Sequence, residues 1–177
     1  MAATTDPRSW QDRIDETWAS ADAIDPAELV RRIDALADEL PDDDPRGPFE
    51  RGGARDSTGD EAGAEAWYRR ALDLGLGGRP RVELHVQLAS TVRNLGRPRE
   101  SVELLDAVLP DAGDLRDAVI AFRALALVDL GETRAAASDA LAALAAHLPQ
   151  YGRSLRAYAA DLRPEGAEGA AGDAASA

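Results

Sequence analysis

Residues 88–109, LASTVRNLGRPRESVELLDAVL, hold two amphipathic patterns of helical period that meet at a single glycine, Gly96. The same layout recurs on both sides. Gly59 and Gly131 stand 37 residues before and 35 residues after Gly96. Five residues beyond each glycine comes a small residue, Ala64, Ser101 or Ala136. Seven before each comes another, Gly52, Ala89 or Ala124, and thirteen after each comes Leu72, Leu109 or Leu144. Four columns in register over three copies describe a helix-turn-helix repeated along the chain.

A period near 34 with small, Gly and small residues at these offsets resembles the tetratricopeptide repeat, over roughly residues 48–148. FERGGARDSTGDEAGAEAWYRRAL and QLASTVRNLGRPRESVELL look like a bacterial subfamily of such proteins with no chemistry assigned to the fold itself. The resemblance implies an all-α, right-handed α-solenoid that holds a peptide or protein partner in a concave groove lined by the first helix of each repeat. Copy one departs from the pattern. Arg55 stands four before its glycine where the other copies have Val92 and Leu127, and Gly52 and Gly53 put two poor helix formers in its first helix, at about 1 kcal/mol each against Ala. Copy one is therefore expected to be the loosest.

Leu, Ile, Val and Phe make up about a fifth of the 177 residues, and alanine fills the gap, which suits helices that touch through small faces. No stretch alternates Val, Ile, Thr or aromatic residues as a strand does. With 33 acidic against 20 basic residues the net charge is −13, so a phosphate backbone is repelled and nucleic acid is an unfavourable partner. All basic residues are Arg, and Cys is absent, which removes disulfides, thiol nucleophiles and Cys-ligated metals. MAATTDPRSWQDRIDE carries no apolar segment of leader length and no later run reaches a membrane span, so the chain reads as cytoplasmic, with no membrane partner.

Along the chain, residues 1–5 are expected to be disordered. Residues 6–47 hold a helical pair opened by Asp6-Pro7 and Asp25-Pro26, with stripes Trp10, Ile14, Trp18 and Leu29, Ile33, Leu36, Leu40, followed by an acidic loop, Pro41 to Gly47. The pair reads as a degenerate repeat or a cover for copy one. The loop fails as a calcium site: Asp42 and Asp44 fit two ligand positions, but Arg46 and Gly53 occupy others. The repeats span 48–80, 81–114 and 115–148, with Ala64, Trp67, Tyr68, Ala71 and Leu72 buried in copy one and Thr133 as an N-cap in copy three. Tyr151, Leu155, Tyr158 and Leu162 form the stripe of a capping helix in 149–163, and 164–177 is expected to be a disordered tail.

No catalytic, cofactor-binding or metal-binding constellation is legible. His85 and His147 lie 62 residues apart and outside any ligand or nucleophile motif, and His85 reads as a packed structural residue. The groove is read from register instead. Gln87, Ser90, Arg93 and Asn94 of copy two lie away from the buried Leu88, Ala89 and Val92; the equivalent places are Glu50, Gly53, Asp56 and Ser57 in copy one and Phe122, Leu125, Val128 and Asp129 in copy three. Such a groove, acidic at one end and apolar at the other, suits a peptide with a basic end and an apolar anchor. Within it Arg93 is the one basic residue, free to clamp a carbonyl or carboxylate or to pair with Asp56 or Asp129. The alternative is a self-assembling helical scaffold using Trp10 and Trp18 or the Ala-rich third copy.

Overall fold

The computed structural model describes residues 8–163. The expected disorder of residues 1–5 and 164–177 falls outside that range, as do Asp6 and Pro7 themselves, but Arg8 and Ser9 are not helical, so the first helix starts at Trp10 behind Ser9 and not at Asp6-Pro7 as expected. Among the described residues the chain forms nine α-helices, three short 3-10 turns and no strand. The described residues divide into two compact units between Thr91 and Val92.

The first unit opens with α1 (Trp10–Ala19) and α2 (Pro26–Ala37). The α1 helix is started by Ser9, whose hydroxyl accepts from the Asp12 amide while the Asp12 carboxylate accepts from the Ser9 amide, a reciprocal pair that satisfies two orphan donors. Asp25 caps α2 through the Ala27 amide, as Asp25-Pro26 predicts. Ile14, Leu29 and Ile33 pack with Ala54 of the next helix, and Trp10, Trp18 and Leu36 close around them.

Copy one is α3 (Arg46–Ser57) and α4 (Glu61–Asp73). The acidic loop ends two residues earlier than expected: Asp44 accepts from the Arg46 amide and guanidinium, and the helix already contains Arg46 and Gly47. Ala64, Tyr68 and Ala71 are buried as expected, whereas Trp67 and Leu72 are half-buried. Trp67 turns instead toward Arg51 and Arg55, whose guanidiniums lie 4.9 and 5.5 Å from its ring centre. Arg55 also forks onto Asp34 of α2 at 3.0 and 3.1 Å, which explains how a charged residue replaces the Val92 and Leu127 of the other copies. In copies two and three the position is sealed by an apolar side chain; in copy one α2 supplies an anion. Gly52 and Gly53 are likewise places of close approach rather than slack, since a Cβ on them would meet the Tyr68 and Trp18 rings at 2.5 and 3.2 Å.

Helix α5 (Gly78–Asn94) carries residues of both units. Within the second unit follow α6 (Pro98–Val108), α7 (Arg116–Asp129), α8 (Thr133–Ala145) and α9 (Gly152–Asp161). Leu127 and Ala124 of α7 pack on Ala136 of α8. Thr133 is the first residue of α8 rather than its cap, a place held by Glu132 without a side-chain bond.

Gly59, Gly96 and Gly131 have φ values of 85°, 81° and 80°. Each ends its helix in the same way: its amide donates to the carbonyl three residues back and the next amide to the carbonyl five back, as in Gly96 to Arg93 at 2.9 Å and Arg97 to Val92 at 3.0 Å. This left-handed cap is open to glycine without a Cβ penalty, which is why the three glycines mark the period. The two small-residue columns are buried throughout: Gly52, Ala89 and Ala124, and Ala64, Ser101 and Ala136. The leucine column is less covered, with Leu144 49% exposed in the last repeat.

The α9 stripe is displaced from the expected one. Tyr151 and Tyr158 are exposed, and the helix contacts α8 through Ala159, whose carbonyl accepts from Ser138 Oγ at 2.7 Å, flanked by the half-buried Leu155 and Leu162. Alanine and serine allow the two backbones to approach where a tyrosine ring would hold them apart.

Candidate functional site: an acidic and aromatic cavity in the first unit

Residues 49, 50, 53, 56 and 57 fall on one side of α3, at helical intervals of three and four. That side, with Trp18 of α1, Tyr68 of α4 and Glu83 and Gln87 of α5, encloses a half-open cavity of about 500 Å³. The volume is in the range of small-ligand and side-chain pockets.

The lining is fixed by bonds that hold its carboxylates in place. Trp18 Nε1 donates to Glu50 Oε2 at 2.6 Å. Asp56 accepts from Thr91 Oγ1 at 3.0 Å on one oxygen and from the Tyr68 hydroxyl at 3.4 Å on the other. Phe49 and Tyr68 face each other at 6.5 Å between ring centres. Burial pushes the Glu50 carboxyl above its usual range, the Trp18 bond opposes this, and the charges of Asp15 and Glu83 add to it. Asp56 is raised too, chiefly by burial, with Thr91 and Tyr68 holding it down; burial also raises the Tyr68 phenol. Among the described residues no basic side chain lines the cavity, and the buried Oε1 of Gln87 has no hydrogen-bond partner. The lining is rich in carboxylates and its donors are all neutral.

Of the groove residues read from sequence, Glu50, Asp56, Ser57 and Gln87 meet at this cavity, with Ser57 exposed at its edge. Ser90 is half-buried and does not line it; Thr91, one residue on, makes the bond to Asp56 instead. Trp18, Phe49, Tyr68, Glu83 and Thr91 escaped the sequence reading. Trp18 and Tyr68 were legible only as core positions, whereas the spacing of four between Glu83 and Gln87 is a signal that register carries.

In the second unit Arg93 pairs with Asp129: Nη2 donates to Oδ1 at 3.3 Å and Nε lies 2.5 Å from Oδ2 with its N–H turned off that line. Asn94 is exposed and Phe122 half-buried. Leu125 and Val128 of α7 are 46% and 52% exposed, so that side of α7 is an apolar surface.

Both histidines are accounted for within the fold. His85 is buried with Nδ1 2.7 Å from the Arg81 carbonyl, and burial lowers its pKa. His147 Nε2 lies 2.7 Å from Asp117 at the surface. Among the described residues no cluster of His, Asp and Glu has the arrangement of a metal site, and no helix is long and apolar enough to cross a membrane.

The sequence model of the family described as Tetratrico peptide repeat matches residues 45–162. The chain belongs to the tetratricopeptide repeat family. The match takes in α3 to α9, while α1 and α2 precede it. Tetratricopeptide repeats generally mediate protein–protein interaction and are typically non-catalytic. No curated protein and no solved structure matches this chain.

Proposed function

We propose that this tetratricopeptide repeat protein is a non-enzymatic interaction module of the cytoplasm that binds a protein or peptide partner through the first helices of its repeats. The observation that carries the reading is the exposed apolar side of α7, where Leu125 and Val128 lie at the positions that the repeat register assigns to the partner-binding side. Apolar side chains grouped on one helix face and left in water mark contact surfaces, and a polar rim of Asn94 and the Arg93–Asp129 pair in the same unit suits a bound segment with an apolar anchor.

Self-assembly through the tryptophans has less support. Trp10 donates its indole N–H to the Leu36 carbonyl at 2.8 Å and lies under Arg46, and Trp18 is bonded to Glu50, so both rings are used inside the chain. The experiment is affinity capture of partners from native extract with the intact chain and with Leu125→Asp/Val128→Asp, paired with light scattering of the purified protein. The proposal expects a monomer, and a captured protein that the double variant loses. A partner retained by the variant, or a stable oligomer that the variant dissolves, overturns it.

A further inference from the structure

We propose that the cavity of the first unit receives the guanidinium group of an arginine side chain from the partner protein, a recognition that rests on reading the chain as an interaction module. The α7 surface and this cavity are independent features, one apolar and one acidic, and each is tested by itself.

The unused acceptors choose the ligand. Trp18 occupies Glu50 Oε2, and Thr91 and Tyr68 occupy the two oxygens of Asp56, so Glu50 Oε1 and the Glu83 carboxylate remain to face a guest, Glu83 sharing its charge with Arg79, while the Gln87 amide oxygen is buried and unpaired. Those acceptors sit on two different helices, α3 and α5. A guanidinium has five N–H donors in a rigid plane and reaches separated acceptors together, whereas an ammonium is a compact point charge. The same plane can stack on the half-buried rings of Trp18 and Phe49 in the lining, which the ammonium of lysine does only as a charge above a face. Arginine is also the more weakly hydrated of the two cations, which lowers the cost of entering a half-open cavity.

Electrostatics gives the sign. Among the described residues Glu50 and Asp56 are held in a partly buried place by neutral donors, and no basic side chain enters the lining. A cation brought by the partner would supply the countercharge, and an anionic or neutral group of the same shape would leave the carboxylates facing each other. The arrangement inverts the demand of an acidic ligand.

The test uses the full chain and three blocked pentapeptides, Ala-Ala-X-Ala-Ala, in which X is arginine, lysine or citrulline. The readout is the indole N–H resonance of Trp18, which sits in the lining and is bonded to Glu50. The arginine peptide is expected to shift it saturably with a midpoint on the order of 1 mM, the lysine peptide about threefold more weakly or worse, and the citrulline peptide not at all. Glu50→Gln keeps an acceptor for Trp18 and removes the charge; it is expected to weaken the arginine peptide about fivefold or more, and Glu83→Gln to weaken it less. Equal shifts from arginine and citrulline, no saturation, or an arginine midpoint unchanged in both variants overturns the cavity inference. A captured partner that still binds the Glu50→Gln/Glu83→Gln variant while the peptide fails leaves the interaction reading standing and removes this one; a peptide that binds where no partner is captured does the reverse.

Discussion

The Tyr68 ring fills the space into which a Cβ on Gly52 would project, its Cδ1 standing 2.5 Å from where that atom would lie. Helices α3 and α4 meet there through a hydrogen on one side and an aromatic face on the other. Gly52→Ala is expected to lower stability by about 1 to 3 kcal/mol, because displacing a fully buried ring outweighs the gain in helix propensity. Gly47→Ala, in the same helix, meets only ordinary contacts of 3.5 Å and beyond and is expected to be neutral or to stabilise by up to about 1 kcal/mol. Urea denaturation of the two variants measures the contrast, and equal effects would refute it.

The buried column five residues past the turn glycine predicts a second contrast. Ala136 is 3% exposed against Ala124 and Leu127, while Ala121 faces outward on α7. Ala136→Leu should cost about 1 to 3 kcal/mol by overpacking. Ala121→Leu should stay within about 0.5 kcal/mol, as surface substitutions do. Thermal melts of the pair check the register of the third repeat.

Ser101 fills the same column in copy two, and its buried Oγ has no hydrogen-bond partner. Copies one and three have Ala64 and Ala136 there. Ser101→Ala is therefore expected to stabilise, by up to about 1 kcal/mol, because a desolvated hydroxyl is removed with little loss of volume. A fall in melting temperature would show that the hydroxyl is satisfied.

Arg93 and Asp129 keep about a third of their side-chain surface in water, at 27% and 38% exposed. Arg93→Ala is expected to cost no more than about 1 kcal/mol, and a double-mutant cycle with Asp129→Ala to give a coupling of the same size or less. A coupling well above this would make the pair a structural clamp of the second unit.

Glu50 supplies a pH signature. Its folded carboxyl is raised above the ordinary 4.5, so the native state binds the proton more tightly than the unfolded chain. The stability this contributes is present below that value and is lost as pH rises through the raised one. Glu50→Gln has no such loss. The melting temperature of the variant minus that of the parent should grow with pH over a series from about pH 4 to about pH 8. A difference independent of pH would show that Glu50 is as well solvated folded as unfolded.

The helices, the three turn glycines and the two small-residue columns were legible in the chain because each is a local demand: a left-handed cap, a helical period, a close approach every repeat. Local information also placed Glu50, Asp56, Ser57 and Gln87 on one side of their helices. It could not say which side chains from other elements would meet them. Trp18 lies 32 residues before Glu50 and Thr91 lies 35 after Asp56, and only packing decides that an indole and a hydroxyl reach those carboxylates. Packing likewise made Gly52 and Gly53 a seat for rings, turned Arg55 into the partner of Asp34 and put Ala159 rather than Tyr151 or Tyr158 against α8. Propensity scores a residue against its neighbours in sequence, while the cost of a Cβ or a buried charge is set by atoms that arrive from elsewhere in the chain.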